Sequence, residues 1–271
     1  VAFQPPMQQP PPFHGPPAEP PGPPRPAVVL GLRARQWVLV AATLGCLYAL
    51  VGGVALVSAT QSLTREPTGA ELQTAARAEV ARRWRAWPAA RIFPDRIAYE
   101  VQRGRTEYAG RAGIAPESDC AASVDPPVAA VLARNGCRAV LRATYVDEIQ
   151  GVAVTVGVAV FADAPTADRA LRETPPDPDG TPVRNSVRAA AFPGTAAARF
   201  TDPARQDSTA DRGGPYVVLT SSGETDGRPA ASVAERRPNL PFAVAPQLAR
   251  QIAHTLGAQA MPDCSSREWK C

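Results

Sequence analysis

Residues 137–161 read CRAVLRATYVDEIQGVAVTVGVAVF. In the first half Ala139, Leu141, Ala143 and Tyr145 point one way, and Arg138 and Arg142 the other. The polar run Asp147 to Gly151 then turns the chain. In the second half Val152, Val154, Val156, Val158 and Val160 share a face, and Ala153, Thr155, Gly157 and Ala159 share its reverse. Period-two alternation on both sides of a short polar turn predicts a β-hairpin. The second strand is apolar on both faces, so it belongs inside a sheet with helices over at least one side.

Working outward, Asp163 and Pro165 open a helix that runs through Glu173. Upstream, Asp125-Pro126 opens a short helix with Asp125 as cap and an inner face of Val128, Val131 and Leu132. Asn135-Gly136 stops it. Thr68 and Glu71 carry a capping-box signature, and Leu72, Ala76, Val80, Trp84 and Trp87 then recur at helical spacing over 69–87. The two tryptophans read as core packing. Strands are expected at 91–102, 187–191, 196–200 and 216–221. Pro246 starts a last helix with Leu248, Ile252 and Leu256 inward, and Gly257 ends it. The order predicts an α+β fold, an antiparallel sheet with helices packed on it. No internal repeat is present.

Residues Trp37 to Ala59 read WVLVAATLGCLYALVGGVALVSA, with no charge. A helix of that length spans about 34 Å, enough for the roughly 30 Å of bilayer hydrocarbon. The expectation is a transmembrane helix over 37–59. A cleaved signal peptide is the rival, because Val57-Ser58-Ala59 resembles a processing site, but the leader and the apolar run are both long for one. Cys46, after Thr43-Leu44-Gly45, fits a lipid-attachment motif poorly and reads as a buried thiol. Arg25, Arg33 and Arg35 precede the span, whereas Arg65 follows it and is succeeded by Glu66. That bias places residues 1–36 in the cytoplasm and 60–271 outside, with the lipid bilayer as a partner. Of 31 prolines, 12 fall in the first 26 residues, which predicts a disordered, Pro-rich cytoplasmic tail. Val1 at the start implies a fragment or an alternative start codon. Within the span Ala41, Gly45, Ala49 and Gly53 form a small-residue stripe, a helix–helix contact for a second copy or another membrane protein.

Beyond Cys46 the cysteines are Cys120, Cys137, Cys264 and Cys271, all on the predicted outer side, where thiols oxidise. Local pairing, Cys120 with Cys137 and Cys264 with Cys271, is the simplest of three connectivities. The spacings do not suit a zinc site.

The chain is poor in catalytic residues. Its two histidines are His14, in the tail, and His254, on the outward side of the last helix. No G-x-S-x-G, H-E-x-x-H, S-x-x-K or phosphate-binding loop occurs. Carboxylates remain: Asp147-Glu148 at the hairpin tip, with Glu100 or Asp163, could form an acid–base pair for glycan cleavage, but nothing in the spacing singles them out, a turn needs polar residues, and no catalytic residue is assigned. Asp177-Pro-Asp179-Gly180 hints at a calcium loop, but the rest of that pattern fails, and a plain turn is the reading kept. After Ala59 the chain carries 26 basic and 24 acidic residues, with no basic strip interleaved with aromatics, so nucleic acid is not an expected partner. Arg82, Arg83 and Arg85 read as a solvated helix face. No cofactor motif is found.

Lys270 is the sole lysine, and the arginine, alanine and proline bias is that of a GC-rich bacterial genome. The stretches WRAWPAARIFP (84–94), GCRAVLRATYVD (136–147), GPYVV (214–218) and EWKC (268–271) resemble uncharacterised single-pass membrane proteins of actinobacteria, from about Trp84 onward. That resemblance implies a membrane-anchored extracytoplasmic domain with no assigned activity. A looser likeness is to extracellular sensor domains of mycobacterial receptor kinases, although no kinase motif is present here. The expected function is a non-enzymatic binding or interaction protein of the bacterial cell envelope. The alternatives are a carboxylate-dependent cell-wall glycan hydrolase and an accessory subunit of a membrane complex.

Overall fold

The computed structural model describes residues 28–29, 32–64, 67–102, 104–116, 119–175, 185–233 and 242–260. Most of the Pro-rich tail, Cys264, Cys271 and Asp177–Gly180 lie outside them. The chain divides into two compact units, Val1–Glu66 and Pro67–Cys271.

In the first unit two short strands, β1 (Val28–Val29) and β2 (Leu32–Arg33), pair antiparallel ahead of a long helix, α1 (Ala34–Thr64). Residues Arg35–Gln61 of α1 are apolar and long enough to cross a membrane, and none of that surface is buried by the protein itself. Three of its hydroxyls bond back to the helix. Thr43 donates to the carbonyls of Leu39 and Val40, Ser58 to Val54 and Thr60 to Val57, so they need no water.

The second unit begins with α2 (Gly69–Ala86). The capping box is formed: Glu71 N donates to the Thr68 hydroxyl, and Thr68 N donates to the Glu71 carboxylate at 2.8 Å. A short turn of helix, α3 (Ala89–Ile92), follows Pro88. Six strands then build one sheet: β3 (Arg96–Gln102), β4 (Arg105–Ile114), β5 (Ala139–Val146), β6 (Val152–Val160), β7 (Asp207–Gly213) and β8 (Tyr216–Glu224). Its order is β3-β4-β5-β6-β8-β7, every neighbouring pair antiparallel. Between β4 and β5 lie α4 (Cys120–Ser123) and α5 (Pro126–Arg134). After β6 comes α6 (Ala164–Glu173), and α7 (Val244–Gly257) closes the unit. The fold is α+β, as expected.

The hairpin β5–β6 is central, and all nine residues of β6 are buried. Its five valines join a core with α7, with Val80 and Trp84 of α2, and with Phe93. Ala159 joins a second core with α5 and α6 on the reverse face. The faces are those read from the alternation. α7 touches both edge strands, β3 and β7, so the sheet curls around it. Contact with β7 requires Gly213: a Cβ there would lie 1.7 Å from the Ala253 carbonyl oxygen. On β3 the open edge is filled by glutamines. Gln247 accepts from Glu100 N and donates to Glu100 O, both at 2.8 Å, and Gln251 donates to Ala98 O. α7 thus imitates a missing neighbouring strand and blunts that edge.

Several local expectations are corrected. Residues 91–95 are not strand: Pro88 starts the α3 turn, and β3 begins only at Arg96. Residues 187–191 form a single bridge, Val124 with Val187, and 196–200 are a 3-10 turn, Ala196–Arg199, with the Thr195 hydroxyl accepting from Ala197 N. β4 and β7 were not expected. Asp125 stands at the start of α5, but its carboxylate does not cap the helix. It receives Arg205 in a bidentate pair at 2.7 and 2.9 Å, and the Ser186 amide. Gly136, with φ +66°, does end α5.

Candidate functional site

A cleft of about 580 Å³ opens at the mouth of the curled sheet, beside the first turn of α7. Its walls are Tyr99 and Val101 from β3, Arg105 and Glu107 from β4, Asp147, Ile149 and Gly151 from the β5–β6 turn, Val152 from β6, Glu224 at the end of β8, Thr225, Asp226 and Arg228 just after it, and Ala243 and Val244 at the start of α7. The β3–β4 register sets Tyr99 directly opposite Glu107. The Tyr99 phenol donates to Glu107 Oε2 at 2.7 Å, and Arg105 pairs with Oε1 at 2.7 Å. Burial, then the Glu107 hydrogen bond, holds the Tyr99 phenol well above the usual tyrosine range. Glu107 is thereby occupied on both oxygens.

Asp147 is fixed by the tight turn. Its Oδ1 accepts from Gly151 N at 2.7 Å and Val152 N at 2.9 Å. Burial raises its pKa, those amides oppose the rise, and the Glu107 charge adds to it. Glu148, next along, accepts from Tyr108 N outside the cleft. Arg228 pairs with Asp226 at 2.6 Å and has its Nε 2.7 Å from Glu224 Oε2, without the alignment of a hydrogen bond to that oxygen.

The sequence placed Asp147 correctly at a hairpin tip but gave it the wrong companions. Neither Glu100 nor Asp163 lines the cleft. Asp163 lies beyond the opposite end of β6, where it caps α6 through Thr166 N at 2.8 Å, and the Thr166 hydroxyl, then its amide, lower the Asp163 pKa. Glu100 is exposed. The partner that sequence reasoning missed is Glu107. Its signal was there in part: Gly104 separates two segments whose alternation puts Tyr99 and Glu107 on one face.

Of the predicted disulfides, Cys120–Cys137 is formed, Cα atoms 6.4 Å apart, enclosing α4 and α5. The Cys264–Cys271 pairing lies outside the described residues. Ala41, Gly45, Ala49 and Gly53 form one stripe on the exposed surface of α1, where a Cβ added at Gly45 or Gly53 would meet nothing within 4 Å. Cys46 lies on the same outer surface of the apolar helix, the surface that would face lipid in a span. His254 points to water, as expected.

Arg83 departs from the solvated role expected of it: it is 4% exposed. Its Nε and Nη2 hold Glu79, and its Nη1 donates to the carbonyls of Thr255, Leu256 and Ala258 at 3.1, 3.0 and 2.7 Å, at the C-terminus of α7. Trp84 is core, as read, and Trp87 is half-buried beneath the guanidinium of Arg91 at 3.8 Å. Among the described residues no cluster of histidine, cysteine and carboxylate side chains is arranged to hold a metal ion. Comparison with family models, with curated proteins and with solved structures gives no match.

Proposed function

We propose that the chain is a membrane-anchored binding protein of the bacterial cell envelope, its sheet domain outside the membrane and its N-terminal tail inside. One observation carries this reading. A 27-residue apolar helix exposes its whole surface, and the unit that follows it contains a disulfide. Apolar surface on that scale needs lipid, and disulfides persist where thiols oxidise. The arginines before the helix set its direction. The likeness of residues 84–94, 136–147 and 214–218 to actinobacterial single-pass membrane proteins points the same way.

Binding is favoured over glycan hydrolysis by the state of the carboxylates. A glycosidase needs one carboxyl as acid and a second free to act as base or nucleophile. Asp147 has the raised pKa of an acid, but both oxygens of Glu107 are already committed to Tyr99 and Arg105, and Glu224 and Asp226 lie 2.7 and 2.6 Å from the Arg228 guanidinium.

A reporter active only after export, fused beyond Cys271, tests the arrangement. Activity is expected, with the full-length chain resisting alkaline extraction from membranes. A reporter active only in the cytosol would refute the proposal. Export with a new N-terminus after Ala59 would instead make the helix a cleaved signal.

A further inference from the structure

Outside α1, the exposed large apolar side chains among the described residues are three: Val101, Tyr108 and Ile149, the last 77% exposed. Two of them, Val101 and Ile149, line the cleft; the third, Tyr108, follows Glu107 on β4 and so faces the other side of the sheet, beneath Arg96. Large apolar groups gathered at one concave site mark a place where something docks. Its chemistry follows from the walls. Four carboxylates face two guanidiniums, a net of about −2. Both arginines already hold carboxylates and stand outermost, Arg105 67% and Arg228 54% exposed, whereas Glu107 is 11% exposed. An anion would meet the wrong field. The N-terminus of α7 opposes it with only about half a positive charge. A neutral sugar would need an open aromatic face, but Tyr99 is almost fully buried. Asp147 spends Oδ1 on the turn amides, which leaves Oδ2 to accept.

We propose that the cleft receives a basic peptide side chain. Its aliphatic stem lies among Val101, Ile149, Val152 and Val244, and its ammonium or guanidinium sits on Asp147 and Glu224. A stem that buries its methylenes while its charge meets a carboxylate matches this division of apolar and acidic wall. The inference rests on the binding-protein reading, not on the location.

Calorimetric titration of the full chain in nonionic detergent tests it. The probes are end-blocked Gly-Arg-Gly, the same tripeptide with citrulline, its acidic counterpart Gly-Glu-Gly, and a neutral disaccharide. The arginine peptide should bind roughly tenfold or more tightly than the citrulline peptide, since the two differ in charge but little in shape. Asp147→Asn keeps Oδ1 for the turn and should lose a similar factor. Equal binding of arginine and citrulline peptides to the native chain would overturn the proposal, whatever the variant does. Tighter binding of the acidic peptide would do so too. Binding of the disaccharide alone would overturn this ligand class and leave the binding-protein reading standing. Cleavage of the disaccharide would overturn both.

Discussion

The two ends of α7 are built by opposite rules. At the C-terminal end Arg83 places a buried cation on three carbonyls that the helix cannot satisfy itself, and Glu79 neutralises it. Beside it the buried Tyr216 hydroxyl donates to Val80 O at 2.5 Å and accepts from Trp84 N, and burial pushes its pKa up to about 12. At the N-terminal end Ala243 offers no side-chain cap, and the neighbouring carboxylates keep an excess of negative charge facing solvent. One end holds the fold together; the other borders the cleft proposed to take a ligand. Buried polar groups stabilise a fold where they are satisfied, and they point to function where they are not.

The largest test of that contrast is Arg83→Met. The variant strands Glu79 and three carbonyls in a buried site, and breaking a buried pair by removing one partner costs about 3–5 kcal/mol. Chemical denaturation should show a loss of that size, with melting lowered by about 2–4 °C per kcal/mol. A loss below about 1 kcal/mol would mean that the C-terminal end of α7 is not the fastening described here. Next in size is Cys120→Ser with Cys137→Ser. The bridge spans 17 positions, and loop closure alone gives it about 3 kcal/mol. Reduction of the native chain should cost at least as much as the double variant, since it opens this bridge and any between Cys264 and Cys271 as well.

The fold was legible where packing leaves a period in the sequence. The β5–β6 hairpin, α2, α5, β8 and α7 all bury large apolar side chains at regular spacing, and α6, which buries only Ala167 and Ala170, is marked by its Asp163 cap instead. β4 and β7 do not. The inward positions of β4 include Glu107 and Ala109, and β7 reads DSTADRG. β7 is a strand because β8 offers it a ladder and α7 packs on it, which no local pattern reports. Residues 196–200 fail in the other direction: alanines and a phenylalanine resemble a short strand, but Thr195 turns them into a helix. The cleft was half visible. A polar turn at Asp147 shows in the sequence. The burial of Glu107 depends on Tyr99 across the ladder, and Arg83 looks like any surface arginine until α7 ends beside it.

Asp147→Asn should have the smallest effect on stability, and its sign separates the two ends most sharply. Asp147 has a raised pKa in the folded chain, first because it is buried and then because Glu107 is negative. The folded state therefore holds the proton to higher pH than the unfolded state does. The residue's contribution is most favourable below the unfolded pKa and declines as pH rises through the folded one. At neutral pH the ionised carboxylate opposes folding, and the amide, which keeps the bonds from Gly151 and Val152, does not. The variant should equal or exceed the native chain by less than about 1 kcal/mol at pH 7, and lose that advantage on acidification. Denaturation curves at pH 7 and pH 4 decide it. A variant markedly less stable at pH 7 would show that the carboxylate charge fastens the turn. The mouth of the sheet would then be built by the same rule as Arg83, and the contrast between the two ends of α7 would fail.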